Sequence, residues 1–197
     1  EREIALELDV RMRRAGAEEI SFPTIVASGR HAALPHATPG VRRIEAGDTV
    51  VIDYGAVFQG YHSDETCTFF VGRPDDEARG VYEQVLRAHN LALASLRAGV
   101  ACRDVDRVAR DALREAGLER FFTHGTGHGV GLDVHEAPRI NSRSEAILEA
   151  GMVVTIEPGV YLPGRWGVRI EDMVLIRAEG FEILSAVPKT PTVLTGI

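Results

Sequence analysis

Glu45-Ala-Gly-Asp-Thr-Val-Val-Ile-Asp-Tyr-Gly55 and Glu149-Ala-Gly-Met-Val-Val-Thr-Ile-Glu-Pro-Gly159 share the pattern E-A-G-x-x-V-x-I-[D/E]-x-G, 104 positions apart. Such an internal repeat implies a duplicated plan. Each copy is a turn leading into a β-branched run, as expected of a buried strand, and each run ends in a carboxylate followed by a residue and a glycine. Strand interiors disfavour acids, so a carboxylate at the end of an apolar run either reaches solvent or is paired by a cation.

Working outward, each copy is followed by a hairpin that brings back a second acid. The midpoint between Asp53 and Asp64 falls beside Gln59-Gly60, and that between Glu157 and Glu171 falls on Pro163-Gly164. Both are turn residues, which predicts that the two acids of each hairpin face one another across adjacent antiparallel strands. Four carboxylates then converge. Like charges opposed in a sheet destabilise it, and two such pairs brought together require a multivalent cation between them.

Helical sequence lies between and before the hairpins. Asp75 to Arg97 carries a broad apolar face ending at Gly99, and Arg103 to Glu115 stops at Gly117. Glu1 to Ala15 reads as the counterpart of this last helix in the first half. The predicted fold class is α+β, with two pseudo-symmetric halves, a curved antiparallel sheet carrying the site, and helices on its outer face. The 197 residues fit one domain, 1–197, with no internal linker.

A composition of 45% hydrophobic and 26% charged residues excludes a disordered or collagenous chain. The net charge of −7 argues against a nucleic-acid partner. No stretch approaches the ~20 apolar residues of a membrane span. Cys67 and Cys102 have neither metal-ligand nor disulfide spacing, which predicts a reducing, cytoplasmic setting. The chain opens on Glu1 in what reads as a helix already under way, so it is expected to be a fragment or processed product lacking an N-terminal region.

Phe121-Phe-Thr-His-Gly-Thr-Gly-His-Gly-Val-Gly-Leu-Asp-Val-His135 holds three of the seven histidines. Its glycines do not form a dinucleotide fingerprint, which needs a βαβ unit with an acid about 20 residues on. They are expected instead to let the backbone approach a ligand while His124, His128 and His135 project toward it. His128 is the best ligand candidate and the other two suit substrate contacts, although spacing leaves that choice open. Oxygen-rich ligation with one imidazole favours Mn²⁺, Co²⁺ or Fe²⁺, with Zn²⁺ admissible. Paired ions about 3.5 to 4 Å apart activate water and stabilise negative charge developing on an attacked carbonyl.

Val50-Val-Ile-Asp-Tyr-Gly55, Ser63-Asp64, Gly127-His-Gly-Val-Gly131, Ile156-Glu-Pro-Gly159 and Val168-Arg-Ile-Glu-Asp172, in this order, resemble the pita-bread metallopeptidases. The resemblance is to the branch containing Xaa-Pro dipeptidase (prolidase) and aminopeptidase P, and it covers essentially the whole chain. It implies two divalent ions, Mn²⁺ first among the candidates, held by Asp53, Asp64, His128, Glu157 and Glu171, with Asp64 and Glu171 bridging. Glu157 would also handle the proton of the attacking water. His36 and His135 match catalytic histidines of the family, and His124, Tyr161 and Arg169 match positions at or supporting the substrate site.

The resemblance further implies an Xaa-Pro peptide substrate, a separate N-terminal domain, and a homodimer or higher assembly of the full-length form. Three alternatives share the motifs in part: aminopeptidase P acting on longer peptides, methionine aminopeptidase, and a non-catalytic binding module. The interval of 14 residues from Glu157 to Glu171 and the Val-Arg-Ile-Glu-Asp ending resemble the proline-directed branch, and all five ligand positions are intact. One departure is local. Asp64-Glu-Thr-Cys-Thr68 has Cys67 where the family commonly has Arg, which puts the support of that strand in question.

Overall fold

A computed structural model describes residues 1–195. In chain order the elements are α1 (Arg2–Arg14), β1 (Glu19–Ile20), β2 (Ile25–Ser28), β3 (Thr49–Tyr54), β4 (Ala56–Phe58), β5 (Tyr61–His62) and β6 (Glu65–Val71). Then follow α2 (Asp76–Ala94), α3 (Cys102–Glu115), β7 (Gly127–Gly129), β8 (Glu136–Ile140) and β9 (Val153–Ile156). The chain continues with β10 (Gly159–Leu162), β11 (Trp166–Arg169), β12 (Asp172–Ile176), β13 (Phe181–Ile183) and β14 (Thr192–Leu194).

The duplication is visible in this order. Helix α1 leads to β2, which pairs antiparallel with β3, which pairs with β6; helix α3 leads to β7, which pairs with β9, which pairs with β12. Strands β3 and β9 are the two copies of the E-A-G run. Their apolar side chains alternate with the acid-bearing face because strand side chains repeat every two residues. The sheets are antiparallel except at one edge, where β14 runs parallel to β6.

The core is uneven. One large cluster joins α2 and α3 to the second half through Val85, Ala92, Val105, Leu113, Ile140, Ile156 and Ile170, while the first half relies on two small clusters, one of Ala5, Val26, Val50 and Val71 and one of Ala27, Ala32, Ala37 and Val51. Helix α2 starts where Asp75 accepts a hydrogen bond from the Glu77 amide (2.9 Å), as a good N-cap does. It ends three residues before the expected Arg97. The Ser95 hydroxyl takes the Ala92 carbonyl at 2.7 Å and the last turn tightens, which closes the helix.

The register of the first hairpin differs from the sequence reading. Asp53 faces Thr66, not Asp64, because the turn residues are Gln59 and Gly60 themselves, both at positive φ (51° and 77°). That two-residue turn displaces the pairing by two positions, an even number that leaves Asp53 and Asp64 on one face. The second hairpin keeps the expected register, with Gly159 opposite Arg169 and Leu162 opposite Trp166 across Pro163-Gly164-Arg165.

Candidate metal centre

Asp53 lies one residue before the end of β3, Asp64 precedes β6, His128 lies on β7, Glu157 follows β9 and Glu171 precedes β12. Asp64, Glu157 and Glu171 thus sit just outside their strands, whereas Asp53 stays in the ladder opposite Ile25 and Thr66 with its side chain on the cavity face. Asp53, Asp64 and Glu171 bring carboxylate oxygens within 4.8 Å of one another, and so do His128, Glu157 and Glu171 with their ligand atoms. At 4.8 Å, two like charges repel by roughly 3.5 kcal/mol for an effective dielectric of about 20. Burial sharpens the conflict, since Asp64, His128 and Glu171 are only 5%, 5% and 2% exposed.

Titration behaviour reflects this crowding. Asp64 is pushed up to about 9 by burial and then by Asp53 and Glu157. Glu157 is pushed up to about 8 by burial, against the lowering influence of Arg169 and with Asp53 adding to it. Glu171 is driven well up by burial and by Asp64, Glu157 and Asp53. Burial lowers His128 to about 4, leaving the imidazole neutral at pH 7.

The tautomer of His128 follows from its neighbours. Its Nδ1 lies 3.0 Å from the Gly129 carbonyl, so Nδ1 carries the proton and Nε2 keeps its lone pair. That lone pair points at Asp64 Oδ2 and Glu157 Oε1, both 3.5 Å away. Without metal the raised carboxyls can meet that lone pair as protonated donors; once ionised, the three groups converge on one point as acceptors, the arrangement a cation fills. A backbone carbonyl holding the far nitrogen of the ring is also the usual arrangement behind a metal-ligating histidine. Asp53 Oδ1 is buried with no hydrogen-bond partner among the described residues, a second unsatisfied acceptor facing the same space. The donor set, four carboxylates and an imidazole, fits a pair of hard or borderline divalent ions.

The two halves brace each other. Arg169 Nη2 donates to Asp53 Oδ2 (2.6 Å), and the Thr66 hydroxyl donates to Glu171 Oε2 (2.6 Å). Arg169 is 4% exposed and also donates to the Pro35 carbonyl, the Thr66 hydroxyl and the Tyr161 hydroxyl. Burial opposes its charge, but Tyr161, Asp53 and Glu157 outweigh burial and raise its pKa.

From Arg169 a directed chain runs outward. Arg169 donates to Tyr161 Oη (2.8 Å), Tyr161 donates to His124 Nε2 (2.8 Å), and His124 Nδ1 donates to the Gly125 carbonyl (2.8 Å). His124 is lowered to about 4 by burial and by Arg169, so it accepts in its neutral form. Its ring lies 4.0 Å from Glu157 Oε2.

The remaining expected residues, His36 and His135, line one cavity of about 520 Å³ together with all five acid and imidazole positions, His124 and Arg169. Tyr161 meets it through His124. His135 is exposed, but its ring stacks edge-on at 4.4 Å from His128 and one of its nitrogens reaches the Asp64–His128 pair. Burial and the fixed Nδ1 bond distinguish His128 from it as the better-held imidazole.

The glycines do more than expected. A Cβ on Gly127 would lie 1.9 Å from the Thr155 carbonyl oxygen, and one on Gly129 would lie 2.2 Å from that of Ala137. They permit close approach of β7 to β9 and β8, and Gly125 and Gly127 also line the cavity with their backbone. Residues that sequence reading passed over also shape the site. Thr66 orients Glu171, and Thr155 accepts from the His128 amide at 3.1 Å. Asp106, buried on α3, takes the Thr126 amide and hydroxyl and pairs with Arg110, which in turn holds the His124 carbonyl. A lone Thr or a helical Asp has no spacing signal that could single it out. Arg139, opposite His128 on β8, lines the cavity and makes no ion pair among the described residues.

Comparison with known proteins agrees with this geometry. Metallopeptidase family M24 matches residues 1–178. An Xaa-Pro dipeptidase of Pyrococcus horikoshii is 46% identical over 185 residues, which cover 94% of this chain and 53% of that protein. A solved Xaa-Pro dipeptidase from Bacillus anthracis superposes with a TM-score of 0.96 at 45% identity, covering 98% of this chain and 54% of that one. An X-Pro aminopeptidase from Thermotoga maritima superposes with a TM-score of 0.96 at 44% identity, covering 98% and 55%. The chain thus spans about half the length of the relatives it matches. Two duplicated halves, four carboxylates and an imidazole able to hold metal at their seam, and a family match over nine-tenths of the sequence lead to one assignment: the chain belongs to metallopeptidase family M24.

Proposed function

We propose that this chain is the catalytic domain, 1–197, of a two-metal peptidase that cleaves the bond between an N-terminal residue and proline, with dipeptides as preferred substrate. The observation that carries the reading is the neutral His128 Nε2 facing Asp64 and Glu157 at 3.5 Å in a buried nest of like charges. Asp53, Asp64, His128, Glu157 and Glu171 would hold two divalent ions, Mn²⁺ foremost, and Asp64 and Glu171, each within reach of more than one group of these donors, would serve both. When bound, the ions supply Lewis acidity toward the scissile carbonyl and lower the pKa of water.

The protein's own groups do the rest. Glu157, whose carboxyl is raised and keeps 19% side-chain exposure, takes a proton from the attacking water on its carboxylate oxygens and returns it to the leaving prolyl nitrogen. His135 and His36, exposed at the cavity wall, donate to the carbonyl oxygen as negative charge develops there. Arg169 and Tyr161 keep Asp53 and His124 oriented, and His124 borders the substrate.

The dipeptide preference rests on Arg139. An unpaired guanidinium in the same cavity offers a bidentate partner for the free carboxylate of a dipeptide, which a longer chain lacks at that point. The aminopeptidase reading is favoured by the Thermotoga maritima likeness and predicts the reverse. Hydrolysis of an Xaa-Pro dipeptide and an Xaa-Pro-Xaa tripeptide should be compared after chelation and readdition of Mn²⁺ or Co²⁺. Preference for the dipeptide, lost in Arg139→Met, is the expected result; preference for the tripeptide overturns the dipeptidase assignment. Failure to bind any divalent ion at neutral pH removes the enzyme reading in favour of a binding module. In the full-length protein a cytoplasmic homodimer or higher homo-oligomer is proposed.

A further inference from the structure

Asp64 and Glu171, the acids proposed to be shared by both ions, are each followed by an acid that points away from the centre: Glu65 and Asp172. Both meet one cation. Lys189 Nζ lies 2.5 Å from Glu65 Oε1, 3.6 Å from Asp172 Oδ1 and 3.2 Å from Cys67 Sγ, and its side chain is 8% exposed. It is the only Lys or Arg ion-paired with either acid among the described residues; the remaining neighbour of Asp172, His89 at 3.3 Å, is held neutral by burial.

Lys189 is carried on a strap that crosses from the second half to the first. Ser185 accepts from the Met173 amide on β12 (2.7 Å), the Val187 amide donates to Glu65 Oε1 (3.2 Å), and β14 then runs along β6 from Phe69 to Val71. The strap lies past residue 178, where the family match ends. It thus ties together the strands that bear the two shared acids, from behind, at the residues adjacent to them.

We propose that Lys189 is a positioning residue of the metal centre: its ammonium pins Glu65 of one half to Asp172 of the other and so sets the spacing of Asp64 and Glu171. The inference rests on the two-ion reading above. An ammonium buried between two carboxylates holds both in one geometry, because letting either go leaves an uncompensated charge in a poorly solvated place. Groups that hydrogen-bond a ligand directly typically govern metal affinity by about 10- to 100-fold; Lys189 stands one step further back, holding the residue next to each of two ligands, so its effect falls at the lower end of that range. The same Lys189 supplies positive charge beside Cys67, where the sequence departs from the family's arginine.

Calorimetric titration with Mn²⁺ alone tests this. Lys189→Met should weaken Mn²⁺ binding by about 10-fold, and Lys189→Arg should restore most of it. A charge-neutral double variant, E65Q with K189M, removes the unpaired Glu65 and should recover thermal stability while Mn²⁺ affinity stays low. Affinity within about twofold of the parent in folded Lys189→Met, or recovery of affinity along with stability in the double variant, overturns the proposal. Where Lys189→Met does not fold, the double variant decides by the same two outcomes. A parent protein that takes up no Mn²⁺ refutes the two-ion reading itself, and the inference with it.

Discussion

The two copies of the E-A-G strand and hairpin have opposite fates. In the first half the hairpin β4–β5 projects outward, with Phe58 58% and Tyr61 63% exposed at its tip. In the second, every residue of β10 and β11 is buried, and the pair forms the floor beneath the site. The difference follows from the cores, since α2 and α3 pack against the second half and leave the first with two small clusters. The acids differ in the same sense: Asp53 is held by a charged partner from the other half, Arg169, and Glu171 by a neutral one, Thr66. Duplication thus supplies equivalent carboxylates, and unequal packing decides which half is floor and which is rim. Each half also orients the other's ligand, so neither makes a site alone.

If the shared acids belong to both halves jointly, removing either should do equal harm. Asp64→Ala and Glu171→Ala should each abolish two-ion binding and lower kcat/KM by on the order of 10³-fold or more, about 4 kcal/mol of transition-state stabilisation. His135→Ala should keep both ions and lose on the order of 10²-fold in kcat. Equal metal loss in all three variants would show that His135 is a ligand; a large disparity between the two acids would break the symmetry.

The bracing contacts come next. Arg169→Met strands Asp53 as a buried unpaired charge and should cost about 3–5 kcal/mol in denaturant unfolding. Thr66→Val removes the hydrogen bond to the Glu171 carboxylate together with the acceptor of Arg169 Nε, and should cost about 1.5–3 kcal/mol. The reverse ranking would mean that the neutral brace carries the seam.

pH separates the acids of the two halves from their histidines. In chelated protein, Asp64 at about 9 and Glu157 at about 8 lie above the unfolded carboxylate range, so the folded state retains protons that the unfolded chain has released. Their contribution is fully present below pH ~4 and is lost as pH rises through about 8 to 9. His124 and His128, at about 4, act oppositely between about 4 and 6.5, where the unfolded state takes up protons. Metal-free protein should therefore melt lower at pH ~8.5 than at pH ~6.5, and Mn²⁺ should flatten or invert that trend. Identical melting points at the two pH values without metal would refute the buried-acid account.

The smallest single effect is at the tip of the outer hairpin, against a large one in its buried counterpart. Phe58→Ser at the exposed tip should change stability by under about 0.5 kcal/mol, whereas Trp166→Ala in the buried hairpin should cost about 3–5 kcal/mol. Comparable losses would mean that the outer hairpin is packed against something it does not meet here.

Much of this molecule is legible in one dimension. The E-A-G repeat fixes two equivalent strands, the carboxylates at their ends fix the demand for a cation, and the helical periods of α1 and α3 are recovered to within a residue. These features are local in the chain: side-chain alternation, turn chemistry and the cost of an acid in an apolar run act within a few residues. What only the tertiary structure decided lies between the halves. The Arg169–Asp53 and Thr66–Glu171 braces and the strap contact of Lys189 with Glu65 join residues more than 100 positions apart, while the shift of the first hairpin and the tautomer of His128 are short-range choices made by the surrounding packing. No spacing rule reaches that far, because such pairs are selected by which side chains end up facing each other in a buried, poorly solvated seam, where an unpaired polar group costs most.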